Sequence, residues 1–163
     1  MVTPRRTTLR LTPPKEPDPL EAVHQEKIFL LVEQHKREHP ELAELFAVPN
    51  GGYRHKATAE ALKRQGVRSG VPDMILPTAH GGHFGLYLEL KRFREGTPTP
   101  EQIARIKRLQ AAGYRAVVCR GWQSAWAELL RYVMLPPTVP TSTPSSYNPF
   151  AEFPALSRKE SIG

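Results

Sequence analysis

Three side chains carry the chemistry of this chain: Asp73, Glu89 and Lys91. Glu89 and Lys91 stand two apart in the alternating run Gly85-Leu86-Tyr87-Leu88-Glu89-Leu90-Lys91. In a strand such residues share one face, while Leu86, Leu88 and Leu90 take the other. Asp73 sits in an earlier run, from Gly70 through Pro72 to Pro77. Between the runs lies Ala79-His80-Gly81-Gly82-His83, so the whole reads as a β-hairpin. Folding about Gly81-Gly82 sets Asp73 opposite Glu89 or Leu90. Two carboxylates on adjacent strands can hold a hard cation such as Mg2+ through oxygen. A lysine beside them can position an attacking water or help deprotonate it.

The rest of the chain has to hold that hairpin. A first helix is expected over 20–38, with Asp18 as cap, Pro19 at its first position, and Leu20, Val23, Ile28, Leu31 and Val32 as its apolar stripe. Glu21 and Gln25 lie one turn apart, in line with Ile28 and Val32. Two readings of Glu21 stand open: a carboxylate facing the site, or an acidic residue that complements the helix dipole. Glu26 competes with it, on a face through Phe29, Leu30 and Glu33. A strand is expected over 44–48, then the turn Pro49-Asn50-Gly51-Gly52. Its glycines would let backbone approach a phosphate. Arg54 and Lys56 follow beside Tyr53 and His55, as candidates for holding a nucleic-acid backbone. A helix over 57–65 ends at Gly66, and Arg68 leads into the hairpin. Arg92 and Arg94 follow it as further phosphate contacts. Thr99, Pro100 and Gln102 then predict a capped helix to about Ala112. A strand over 114–119 and a helix over 123–133 complete the order. This is an α/β arrangement: a central mixed sheet with helices on its faces.

Taken in order, Pro49-Asn50-Gly51-Gly52 with Arg54, Gly66-Val67, Gly70-Val71-Pro72-Asp73, Glu89-Leu90-Lys91-Arg92 and Thr99-Pro100-Glu101-Gln102 resemble the VRR-Nuc domain. This is the virus-type replication-repair branch of the PD-(D/E)XK nucleases, here in its stand-alone form, over about residues 20–132. The resemblance implies a restriction-endonuclease-like core and metal-dependent cleavage of DNA. It implies Asp73 and Glu89 as ligands of Mg2+ or Mn2+, with the Leu90 carbonyl and Glu21 as further ligands and Lys91 as the catalytic lysine. Gln25 and Gln102 match the family's helix glutamines and would orient the ligands; for Gln102 a capping role stands beside this. Asn50, Gly51, Gly52, Arg54, Lys56, Arg68, Arg92 and Arg94 would contact DNA. Stand-alone members are expected to be homodimers that cut branched DNA such as four-way junctions, in a bacterium or phage-infected cell.

Composition agrees. The 163 residues carry 23 Lys and Arg against 16 Asp and Glu, a formal charge of +7, with a pI near 9.8. Such a surface favours polyanions. No apolar run approaches the ~18 residues of a membrane span, and the arginine-bearing N-terminus lacks a signal peptide's apolar core. The single cysteine, Cys119, allows no internal disulfide and lies in an apolar run as a buried strand residue. A cytoplasmic protein is expected. Proline marks 1–19 as an extended arm and, with Ser and Thr, 136–163 as a tail; 20–135 form the domain. Two rivals remain: a DNA-binding module without catalysis, and a metal site among the six histidines. A pure binder has no use for paired carboxylates beside its DNA, and no histidine pair has zinc-ligand spacing with carboxylate or cysteine support.

Overall fold

The computed structural model describes residues 19–49 and 56–139, the side chains of 56–59 excepted. Asn50, Gly51, Gly52 and Arg54, residues 1–18 of the arm and 140–163 of the tail lie outside the described residues, as does the side chain of Lys56.

The elements run α1 (Glu21–His35), a 3-10 helix (Pro40–Glu44), β1 (Phe46–Ala47), α2 (Lys56–Arg64), β2 (Met74–Leu76), β3 (Leu86–Lys91), α3 (Pro100–Ala111), β4 (Arg115–Arg120) and α4 (Gly121–Val133). The four strands form one sheet in the order β1-β2-β3-β4. The first two pairings are antiparallel; β3 and β4 are parallel. A parallel pair needs a crossover, and α3 supplies it. Alternation along β3 sorts the two faces. Leu86, Leu88 and Leu90 join Met74, Leu76 and Cys119 in the core, against Ile28 and Val32 of α1 and Ala125, Leu129 and Tyr132 of α4. On the opposite face α3 buries Ile106, and its Gln110 Nε2 donates to the Ala116 carbonyl at 2.7 Å. Both faces of β3 are therefore covered, as a strand beside a parallel partner requires. Removing one core leucine, as in Leu88→Ala, would cost about 2–5 kcal/mol.

The hairpin turns at Gly81-Gly82 as expected, closed by the His83 N–H to the His80 carbonyl at 2.9 Å. Residues 136–138 cover this turn: Gly81 N–H donates to the Pro136 carbonyl at 2.8 Å and Thr138 N–H to the Ala79 carbonyl at 2.9 Å. Tyr132 hydroxyl, fully buried, donates to the Thr78 carbonyl at 2.8 Å and accepts from His80 N–H at 3.2 Å.

Three boundaries differ from the sequence reading. Pro40 opens a 3-10 turn, which shortens the expected 44–48 strand to Phe46–Ala47. The cap of α1 is Leu20, with no side-chain hydrogen bond, and that helix stops at His35. No turn separates β4 from α4: Gly121, at φ 71, starts the helix directly after Arg120. No described helix is long and apolar enough to cross a membrane.

Candidate active site

The β2–β3 register pairs Met74 with Leu88, and one further step puts Asp73 opposite Glu89. The Leu90 N–H donates to Asp73 Oδ2 at 2.8 Å, which ties the Asp73 carboxylate to the end of β3. Gly70 makes this approach possible. At φ 73 it runs so close to α3 that a Cβ would lie 2.9 Å from the Glu101 carbonyl carbon. Only glycine accepts both that backbone shape and that contact. The chain then passes through buried Pro72 to Asp73.

Glu89 is fully buried. Its Oε1 accepts from Lys91 Nζ at 2.5 Å and from Gln102 Nε2. Its Oε2 is equally buried and has no hydrogen-bond partner among the described residues. A buried oxygen left bare costs free energy, so this one is a candidate position for a ligand. Lys91, itself buried, also donates to the Leu90 carbonyl at 2.9 Å and reaches Glu21 Oε1 at 3.5 Å. Its ammonium thus sits among the Glu89, Leu90 and Glu21 oxygens, the same oxygens the sequence reading offered to a metal. Lys91 is a cation standing among oxygens that could hold one.

Charge and burial conflict here. Burial pushes the Glu89 carboxyl up to about 7; the Lys91 hydrogen bond pulls it down, and the Asp73 charge raises it. Burial disfavours the Lys91 ammonium, but the Glu89 hydrogen bond and the carboxylates of Glu89, Glu21 and Asp73 outweigh that and raise its pKa. Three carboxylates share one ammonium, and a divalent cation would relieve their repulsion.

Gln102 fills both of its expected positions. Its Oε1 accepts from Thr99 N–H at 2.8 Å and its N–H donates to Thr99 Oγ1 at 3.3 Å, closing the capping box of α3. Its Nε2 holds Glu89. Glu21, half-buried in the first turn of α1, faces Lys91, whereas Glu26 is exposed. Gln25 is half-buried one turn on and makes no hydrogen bond to this cluster among the described residues. Arg92 pairs with Glu95 at 2.7 Å, Arg68 donates to the Lys63 carbonyl at 3.0 Å, and Arg94 is exposed. The sequence reading missed Arg120. It ends β4 beside Lys91 in the parallel register and donates to the Gly96 carbonyl at 3.0 Å. Gly96 packs against Glu21 and Lys91, so Arg120 steadies one wall of the cluster. Being the last residue of a strand parallel to Lys91 is the signal that could have found it.

Among the described residues no three His, Cys, Asp or Glu side chains are grouped to hold a metal. This holds for Glu21, Asp73 and Glu89 as well, and His55 lies outside the described residues. The donor set at Glu89 is of another kind: two carboxylates and a backbone carbonyl, all oxygen, with one oxygen bare. Such a set fits a hard cation of the Mg2+ or Mn2+ type.

Comparison with known proteins agrees with this fold. A family model described as the VRR-NUC domain matches residues 20–123. A solved structure described as a VRR_NUC domain protein is 29% identical, with a TM-score of 0.61. The match covers 72% of this chain and 90% of that one. A comparison with curated proteins finds no match.

Proposed function

Since the chain belongs to the VRR-NUC family, and so carries a nuclease-type domain, we propose that it is a metal-dependent DNA endonuclease. The observation that carries this reading is Glu89, fully buried with a bare Oε2 beside Asp73 and Lys91. Asp73, Glu89 and the Leu90 carbonyl would hold Mg2+ or Mn2+, with Glu21 adding an oxygen directly or through water. A bound ion of this type supplies a water of lowered pKa and neutralises charge on the phosphate. Lys91 orients the attacking water and stabilises the negative charge that develops at the phosphorus-bound oxygens. Gln102 grips Glu89 Oε1 and so aims the bare Oε2 into the site. Arg68, Arg92 and Arg94, with Asn50, Gly51, Gly52, Arg54 and Lys56, hold the substrate backbone. Affinity should then fall with salt, by a log-log slope of roughly one per phosphate contacted.

The finer reading is a homodimer that cuts branched DNA in the cytoplasm of a bacterium or phage-infected cell. Its support is the motif series, which resembles that of the stand-alone branch; a two-fold dimer would present two active sites to a two-fold junction. Residues 20–135 would form the catalytic unit, with 1–19 and 136–163 as appendages.

The test is cleavage of a labelled four-way junction, a flap, a single strand and a linear duplex, each with EDTA, Mg2+ or Mn2+. Cutting of the junction that needs the metal supports the resolvase reading. Cutting of flaps or single strands keeps the chemistry and removes the junction. Binding without cutting under every metal makes the protein a DNA-binding module. Full activity in Asp73→Ala would sink the assignment of the site.

A further inference from the structure

Two cavities share a wall, and their linings include Val71 and Glu101, two residues from Asp73 and one from Gln102 along the chain. One, of about 280 Å³, is lined mainly by apolar groups: Val48, Pro49, Val67 and Val71. The other, of about 300 Å³, is lined by Ser69, Glu101 and Arg108. Arg68 and Arg105 line both. Arg105 Nε is buried and has no hydrogen-bond partner among the described residues. Three arginines and one glutamate, exposed Glu101, line the second cavity, so its lining carries an excess of positive charge.

The pair is tied closely to Asp73. Val48 N–H donates to the Asp73 carbonyl at 2.8 Å. Val71 precedes Asp73 by two residues, a span of at most about 7 Å between their Cα atoms. Glu101 neighbours Gln102, which holds Glu89. One or two nucleotides, at roughly 3.4 Å of rise each, cover such a distance.

An apolar slot joined to a cationic one has the two-part chemistry of a single nucleotide. The slot accepts the flat face of a base once it leaves the stack. The guanidinium groups of Arg68, Arg105 and Arg108 donate to the oxygens of its phosphodiester. Resting on the reading of the chain as a DNA nuclease, we propose that these cavities hold one unstacked nucleotide next to the scissile phosphate. Arg105 is its phosphate anchor and Val48, Val67 and Val71 are the walls of its base slot. The preferred substrate is then DNA that offers an unpaired or easily unpaired nucleotide beside the cut. A continuous duplex would first have to break a pair, and so binds less well.

The experiment uses a four-way junction with 2-aminopurine placed singly at successive positions around the branch, bound by the full chain in Ca2+. Emission at one position should rise severalfold as that base leaves the stack. Val67→Phe, at an exposed wall of the slot, fills it and should abolish the rise. Arg105→Gln should weaken binding about tenfold on any sequence and lower the salt slope by about one. Thermal melting checks that both variants fold. Should Val67→Phe not fold, Arg105→Gln decides alone. No brightening at any position, an equal rise with Val67→Phe, or unchanged affinity and slope with Arg105→Gln overturns the proposal. Cleavage without brightening keeps the nuclease and removes the nucleotide slot. Brightening without cleavage in Mg2+ or Mn2+ removes the nuclease and keeps the slot.

Discussion

Two buried glutamates on opposite sides of the sheet are treated in opposite ways. Glu128 of α4 has Oε1 bonded by Arg115 and Oε2 by Arg131. Each oxygen has its own donor, and two positive charges surround one negative one. Glu89 has two donors crowded on Oε1 and none on Oε2. There, Glu21, Asp73 and Glu89 share one lysine. The first arrangement is complete as it stands and serves the fold. The second is left short of positive charge and short of a donor, at a cost in stability. Sites that act on a ligand carry this kind of deficit.

The largest effects expected from this contrast are on catalysis. Asp73→Ala and Lys91→Ala should each lower kcat at least about 100-fold, with DNA binding kept. Glu128→Gln should leave kcat unchanged. Single-turnover cleavage and a binding titration on the same DNA check both.

Stability should move with opposite signs at the two glutamates. Folding pushes the Glu89 carboxyl from 4.5 to about 7, so the folded chain holds a proton that the unfolded chain releases. Stability from this group is full below pH 4.5 and is lost as pH rises through 7. This loss is the pH-dependent cost of burying the Glu89 carboxylate. Glu89→Gln removes it and should raise Tm at pH 8. Glu128→Gln breaks satisfied charged hydrogen bonds and should cost about 1.5–3 kcal/mol. Melting curves at pH 5 and pH 8 separate the two.

Cation binding should displace the proton from Glu89. Apparent Mn2+ affinity should therefore fall up to about tenfold per pH unit below 7 in the wild type, and stay nearly flat in Glu89→Gln. The smallest effect is at Gln102. Gln102→Ala opens the capping box and releases Glu89 Oε1, which should cost about 1 kcal/mol and lower kcat modestly. Melting and steady-state kinetics read the two parts.

The working strand and its partner were legible because a period of two fixes side-chain faces and a hairpin fixes register. That is why Asp73, Glu89 and Lys91 could be brought together from spacing alone. Gln102 was legible through its capping box. Glu21 required a tertiary fact, that α1 starts beside the end of β3, and the sequence left it open against Glu26. Strand β1 was overlong in the reading because Pro40 starts a 3-10 turn that apolar residues alone do not signal. The Arg115–Glu128 contact joins β4 to α4, and Arg105 meets Val67 only in the folded chain. Neither leaves a local pattern, so neither could be read in advance.

The central claim is that the bare, buried oxygen of Glu89 marks a cation site. Its most direct test is calorimetric titration of Mn2+ into the wild type, Glu89→Gln and Glu128→Gln at pH 8. The account predicts binding by the wild type and Glu128→Gln, and at least about tenfold weaker binding by Glu89→Gln. No binding by the wild type, or equal binding by all three proteins, would contradict it.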